Sequence, residues 1–296
     1  MAKTARIIDG NKVAAEIRAE IKEEVAQLAK KGIRPGLAVV LVGDDPAMQS
    51  YVRNKQRGSE ETGIAFFPHF LPSAVTERKL LGLIEKLNVD PRVTGIIVQS
   101  PLPKHIDEGK VVNAISPDKD ADGFHPVNVG KMLIGEPGYL PCTPHGCQVL
   151  LERYGYDPAG KHVVIVGRSN IVGKPLAAIL MQKAKWANAT VTVCHSRTRN
   201  LTSYTRQADI LVAALGSPEF VKARMVKPGA VVLDVGISRV EDATKKSGYR
   251  LAGDVHFASV SKVAKAITPV PGGVGPMTVA MLLRNTVDAA IRLKKK

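Results

Sequence analysis

The sequence predicts an α/β protein with two parallel-sheet halves, the second of Rossmann type. Continuous apolar runs such as GLAVVLVG (36–43), HVVIVG (162–167) and AVVLDVG (230–236) alternate with helical stretches. That order belongs to parallel sheets covered on both faces. The alternation is interrupted between Pro101 and Pro144, where Pro, Gly and Asp are dense, and then restarts. A chain of 296 residues is long enough for two domains of ordinary size.

Near the N-terminus, Val13, Ile17, Ile21, Val25 and Leu28 recur at helical spacing, so residues 11–31 read as an amphipathic helix. GLAVVLVG is a buried strand. Asp44, Asp45 and Pro46 then cap and start a helix that runs to about Gly63. AFFPHFL (65–71), a helix from about Thr76 to Asn88, and GIIVQS (95–100) complete the first half. In the second half HVVIVG, TVTVCH (190–195), DILVAAL (209–215) and AVVLDVG are strands. The last helix, from about Met277 to Leu293, comes after the turn PVPGGVGP (269–276). Ligands of open α/β sheets sit outside the carboxyl ends of the strands. Three features fall near such ends: the 43–55 segment, the 99–103 loop and the 167–173 turn.

Bulk composition narrows the class. Apolar content of 45% and charged content of 23% are globular values. The apolar runs are too short for a membrane span. MAKTARIIDGNK lacks an apolar h-region, so no secretory leader is expected. Three cysteines, Cys142, Cys147 and Cys194, match no zinc spacing and point to a reduced, cytoplasmic interior. The formal charge of +15 is spread along the chain apart from Lys294, Lys295 and Lys296. A nucleic-acid binder concentrates its charge in a stripe or module, and neither is present. Anionic small molecules account for the sign equally well.

Short motifs carry the chemistry. In 51-YVRNK-55, Tyr51 and Lys55 lie four apart and share a helix face. Together they suit a flat substrate, a ring to stack on and an amine beside it; taken alone, the pair reads first as a half-buried tyrosine and a solvated lysine, since such pairs are common. In 99-QSPLP-103, polar Gln99 ends an apolar strand and two prolines stiffen the loop after it. In 118-DKDADG-123, Asp122 is either a turn residue or a carboxylate that accepts two hydrogen bonds from an amidine-like edge. The glycines of 271-PGGVGP-276 form a hinge or a close approach to a ligand. His105, His125, His145 and His256 show no metal spacing, so no metal is expected.

The turn 162-HVVIVGRSNIVGKP-175 has the strand-turn-helix form of a dinucleotide site, with Gly167 and Gly173. Its spacing departs from G-x-G-x-x-G, and Arg168 and Ser169 stand where close approach is expected. A guanidinium there offers a bidentate clamp for an extra phosphate. The strand end 193-VCHSRT-198 lacks the acidic residue that grips a free ribose 2′-hydroxyl, and Arg197 adds charge of the right sign. Both features favour NADP over NAD.

YVRNK, QSPLP, DKDADGF, PCTPHG, GRSNIVGKP and TPVPGGVGPMT stand in this order along nearly the whole chain. Together they resemble the bifunctional methylenetetrahydrofolate dehydrogenase/methenyltetrahydrofolate cyclohydrolase family, with Ser100 replacing the family's usual leucine. The resemblance implies a folate-binding catalytic domain of residues 1–140 and 277–296, a Rossmann-type NADP domain of residues 141–276, and a last helix that returns to the first domain. It implies a cytoplasmic homodimer acting on tetrahydrofolate derivatives, polyglutamylated forms included, with no nucleic acid or membrane partner. By motif, Lys55, Gln99 and Asp122 match the catalytic set. Tyr51, Pro101, Pro271, Gly272 and Gly273 match the substrate site. Gly167, Arg168, Ser169, Gly173, Ser196, Arg197 and Ile237 match the cofactor site. A shikimate-type dehydrogenase, the main rival, resembles a G-x-G-G-x turn absent here and lacks PGGVGPMT. A monofunctional dehydrogenase is opposed by the presence of both Lys55 and Gln99.

Overall fold

The computed structural model describes residues 4–245 and 248–295. Residues 1–3 of the N-terminal segment and Lys296 of the lysine run therefore lie outside it. The chain opens with strand β1 (Arg6–Ile7) and helix α1 (Gly10–Lys30). It divides into two units: Ala15–Cys142 with Val279–Lys296, and the segment through Ala14 with Thr143–Thr278.

The first unit carries β2 (Gly36–Val42), α2 (Pro46–Thr62), β3 (Ala65–Leu71), α3 (Glu77–Val89), β4 (Gly95–Val98), α4 (Glu108–Ala114) and α5 (Pro126–Ile134). Its sheet is parallel in the order β3-β2-β4. All seven residues of β2 are buried, as a central strand covered on both faces requires. The predicted start of α2 forms: Asp45 accepts a hydrogen bond from the Ala47 amide at 2.7 Å, Pro46 occupies the first turn, and Gly63 ends the helix in the left-handed region. The stretch between Pro101 and Pro144, expected to be irregular, instead contains α4 and α5. Each is under ten residues, too short for a period to show. Asp107 and His125 cap them by accepting from the Lys110 and Val127 amides.

The remaining elements are α6 (Cys142–Tyr154), β5 (His162–Val166), α7 (Gly173–Leu180), β6 (Thr190–Cys194), α8 (Leu201–Thr205), β7 (Ile210–Ala213), β8 (Val231–Asp234), β9 (Ser238–Glu241), β10 (Tyr249–Ala252), α9 (Phe257–Val260), β11 (Ala266–Ile267) and α10 (Val274–Lys294). Six strands form a parallel sheet in the order β1-β11-β8-β7-β5-β6, and β9 and β10 form a separate antiparallel pair. Chain order reverses at β5, which has β6 on one side and β7 on the other. That switch point is where such sheets bind ligands, and Gly167 comes directly after it.

The N-terminal segment departs from the expected division of the chain. β1 pairs with β11, so residues through Ala14 group with the six-stranded sheet. Two-residue strands leave no periodic trace in a sequence. The last helix starts at Val274 in the second unit and continues, from Val279, in the first. Among the described residues, no helix is long and apolar enough to cross a membrane.

Candidate active site

Lys55 lies in the third turn of α2 and is buried, 7% exposed. Its Nζ donates to Gln99 Oε1 at 2.7 Å. Gln99 comes after β4, and its amide nitrogen donates to the Val40 carbonyl at 2.8 Å, extending the sheet pairing by one step. Its Nε2 donates to the Ser100 carbonyl at 3.0 Å, which turns Oε1 toward the lysine. Ser100 thus contributes its backbone, a role any side chain permits, before a cis bond to the exposed Pro101.

Asp122 is aimed by its neighbours. The Ile96 amide donates to the Lys119 carbonyl at 2.7 Å, so this segment runs beside β4. The buried Asp120 carboxylate accepts from the amides of Gly123, Phe124 and His125 and from Asn128 Nδ2, at 2.8–3.2 Å. Gly123 has φ +75°, and a Cβ there would lie 2.6 Å from the Leu140 carbonyl carbon. Only glycine fits that turn.

Burial and charge oppose each other at this site. Burial lowers the Lys55 pKa, while Asp122 and then Cys142 pull it back up. Burial raises the Asp122 carboxyl to about 7 against the pull of Lys55. The Asp122 side chain is only partly enclosed, so water on its open side moderates that rise. Burial thus pushes the lysine down and the carboxyl up, which brings the ionisation of the two groups closer together.

Two further residues hold this arrangement. Cys142 Sγ donates to the Ala121 carbonyl at 3.3 Å, and burial raises its thiol well above the usual range, so it stays protonated. Asn285 of α10 donates through Nδ2 to the carbonyls of Ala121 and Leu140, at 2.9 and 3.0 Å. Sequence reasoning missed Asn285 because its partners lie more than 140 residues away. Asp120 was missed although it alternates with Asp122 in the same motif. Tyr51, one helical turn before Lys55, is 42% exposed, leaving its ring free to take a flat partner.

The predicted cofactor residues gather in the second unit. Gly167 has φ +133°, and a Cβ there would lie 2.1 Å from the Ala214 carbonyl oxygen. A Cβ at Gly173 would meet the Gly167 carbonyl oxygen at 2.1 Å. Ser169 Oγ accepts from the amides of Val172 and Gly173 at 3.1 and 3.5 Å, closing the turn into α7. The Gly167 amide donates to the Cys194 carbonyl at 2.8 Å, linking this turn to the end of β6. There His195 Nδ1 accepts from the Arg197 amide at 3.1 Å, leaving Ser196 and Arg197 exposed. Arg168 is exposed, and its guanidinium has no protein partner among the described residues. Ile237 is 50% exposed just before β9.

Pro271, Gly272 and Gly273 also belong to the second unit. The Gly272 carbonyl accepts from the Gly10 and Asn11 amides at 2.8 and 3.1 Å. A Cβ on Gly10 would sit 1.7 Å from the Gly273 oxygen, so this turn is packed on the start of α1. A surface cavity of about 590 Å3 lined by Glu219, Lys222, Arg224 and His256 contains none of the predicted site residues. Among the described residues, no cluster of His, Cys, Asp or Glu is placed to hold a metal.

Two family models divide the chain between them. The tetrahydrofolate dehydrogenase/cyclohydrolase catalytic domain matches residues 8–122. The NAD(P)-binding domain of the same family matches residues 141–294. The bifunctional protein FolD of Moorella thermoacetica is 60% identical over 288 residues, 97% of this chain and 99% of its own. The crystal structure of the bifunctional enzyme FolD from Campylobacter jejuni is 48% identical, covers 98% of this chain and 99% of its own, and gives a TM-score of 0.92. That of the Trypanosoma brucei dehydrogenase-cyclohydrolase, complexed with NADP and an inhibitor, is 42% identical, covers 99% of each chain and gives 0.93. The chain belongs to the tetrahydrofolate dehydrogenase/cyclohydrolase family.

Proposed function

We propose that this chain oxidises 5,10-methylenetetrahydrofolate to the methenyl compound with NADP and hydrolyses that product to 10-formyltetrahydrofolate, both steps being reversible. The observation that carries the reading is the buried Lys55 amine, 2.7 Å from Gln99 Oε1 and under the influence of Asp122. Family membership supplies the reaction; this site supplies its acid–base group.

The first unit takes the folate. Asp122 accepts hydrogen bonds from the amidine-like edge of the pterin, and the exposed Tyr51 ring stacks along it. Pro101 shapes the adjoining wall. In hydrolysis, water attacks the methenyl carbon and neutral Lys55 removes its proton. As the ring carbon–nitrogen bond breaks, the resulting ammonium protonates the leaving nitrogen, and the carbinol hydroxyl gives up its remaining proton to water as the formyl C=O forms. Gln99 holds the amine in place without adding charge.

The second unit takes the dinucleotide. NADP fits the residues present: Gly167 and Gly173 sit where any Cβ would strike backbone, and Arg168 has a guanidinium to spare. Bound NADP supplies the hydride acceptor. Arg168 clamps its 2′-phosphate, assisted by Ser196 and Arg197. Ser169 closes the turn, and Ile237 offers an apolar surface. By motif, Pro271, Gly272 and Gly273 are assigned to substrate binding.

A homodimer and a cytoplasmic location complete the reading. β6 lies at the sheet edge with Val193 exposed, a surface a second copy would cover. All three cysteines are buried and unpaired, as in a reducing compartment. The test is direct. The protein is incubated with methylenetetrahydrofolate and either NADP or NAD, and the methenyl and formyl products are monitored spectroscopically. Failure to form both products with NADP would refute the proposal.

A further inference from the structure

Two buried carboxylates stand at the cofactor edge of the six-stranded sheet, and the mechanism above uses neither. Asp234 ends β8 and Asp254 lies just past β10; they are 3% and 0% exposed. Both are satisfied by backbone rather than by a cation. Asp254 accepts from the amides of Leu215, Gly216 and Ser217 at 2.5–3.0 Å. Asp234 accepts from the amides of Gly236, Asp254 and Val255 at 2.9–3.1 Å. The two segments interlock through glycine. A Cβ on Gly253 would lie 1.9 Å from Asp234 Oδ2, and one on Gly236 would lie 2.3 Å from Asp254 Cγ.

These carboxylates hold specific segments. Three consecutive N–H groups converging on one point form an anion-binding concavity. Here Asp254 fills it from within the chain. The filled loop starts at Ala214, whose carbonyl sits where a Gly167 side chain would otherwise be. The Ala214 amide donates to the Val166 carbonyl at 2.8 Å, at the end of β5. The Asp234 side leads, through Gly236, to exposed Ile237. One pair of carboxylates thus braces the loop beside the Gly167 turn and the loop bearing Ile237.

We propose that Asp254 is a positioning residue for the nicotinamide dinucleotide: it fixes the 214–217 loop against the Gly167 turn and, with Asp234, sets the Ile237 loop at the same sheet edge. By occupying the amides of Leu215–Ser217 it also leaves Arg168 and the start of α7 as the place for the cofactor's phosphates. The inference rests on the assignment of the Gly167 turn to NADP.

The experiment uses the full-length protein and three measurements: NADPH binding by fluorescence, methenyl hydrolysis without dinucleotide, and thermal stability. Asp254→Asn keeps the shape but turns one acceptor into a donor facing N–H groups. It should weaken NADPH binding about ten- to a hundredfold, the scale of a lost orienting contact. Hydrolysis, whose groups lie in the other unit, should stay within about twofold of wild type on that scale. If Asp254→Asn does not fold, Ser217→Pro removes one of the three donors at an exposed position and should still weaken NADPH severalfold. Unchanged NADPH affinity in the folded variant, or equal losses in binding and hydrolysis, would overturn the proposal and leave Asp254 a residue of stability alone. No NADPH binding by the wild type would instead overturn the cofactor assignment beneath it.

Discussion

Replacing Lys55 by methionine separates the two chemistries. A free lysine with a pKa near ~10.4 is almost wholly charged at neutral pH and is a poor base. Burial at this site lowers that value, with Asp122 and Cys142 opposing the fall. Methionine keeps the length of the stem but can neither take nor give a proton. Removing a positioned acid–base group costs about 10²–10⁴-fold in rate. Hydrolysis of the methenyl compound should therefore drop by that factor. Hydride transfer moves no proton on the substrate, so the dehydrogenase should remain measurable. The structural cost is modest. Gln99 Oε1 loses its 2.7 Å partner, a penalty of roughly 1–3 kcal/mol, partly offset because a desolvated amine is also removed. The double variant Lys55→Met with Gln99→Leu should recover stability without recovering hydrolysis. Lys55→Arg should also lose hydrolysis, since guanidinium keeps its proton across the working range. The assay is single-turnover kinetics with NADP, in which the methenyl intermediate should accumulate. Hydrolysis by Lys55→Met at the wild-type enzymatic rate would refute the assignment of this lysine.

Asp122→Asn should weaken folate binding by about 2–4 kcal/mol, since an amide donor would then face donors of the pterin. It also removes the charge that raises the Lys55 pKa, so the ascending limb of the hydrolysis profile should move to lower pH; an unmoved limb in a pH–rate series would show that the two groups are not coupled. Arg168→Ala should weaken NADP by roughly one to two powers of ten and change NAD much less, as measured by titration of each dinucleotide. Burial raises Asp234 to about 7, above its unfolded value near ~3.9, so the stability this confers is complete below that lower value and lost as pH rises through the folded one. Relative to Asp234→Asn, the wild type should thus lose up to roughly 4 kcal/mol between pH ~4 and ~8, and urea titrations showing a constant gap would contradict this.

The sheets were legible because their strands are apolar without interruption, as in β2, β5 and β8. The same feature placed Gly167 at a switch point and Lys55 on a helix beside one. Identity of the site needed more than pattern. YVRNK and QSPLP carry no geometric information about each other, and only the fold brings Lys55 Nζ to Gln99 Oε1. Illegible elements were short or distant. β1 and β11 pair through two residues each, and α4 and α5 are held by caps inside a Pro- and Gly-rich stretch. Asn285 of the last helix prompts no reading, yet it closes on the carbonyls of Ala121 and Leu140, far away in the chain. Asp254 prompts no reading at all, because three amides gathered on one carboxylate leave no trace in the sequence.

The way this chain distributes charge reflects how many hydrogen bonds each group can accept or donate. A carboxylate has two oxygens and about four lone-pair sites, so one side chain can gather several amides of a turn. Lysine and arginine only donate, and so cannot organise N–H groups. Asp120 accordingly shapes the loop that aims Asp122, and Asp254 shapes the loop beside Gly167. Both anions are taken up by backbone and need no internal cation. That leaves most of the excess of 42 Lys and Arg over 27 Asp and Glu to the outside, where Arg168 and Arg197 are exposed. Under the proposed function, that exposed positive charge suits a substrate with carboxylates and a cofactor with phosphates. Lys55 differs, as a buried cation whose hydrogen-bond partner is a neutral side-chain amide. An ion partner in place of Gln99 would raise its pKa; the neutral amide fixes the position of the amine without adding charge.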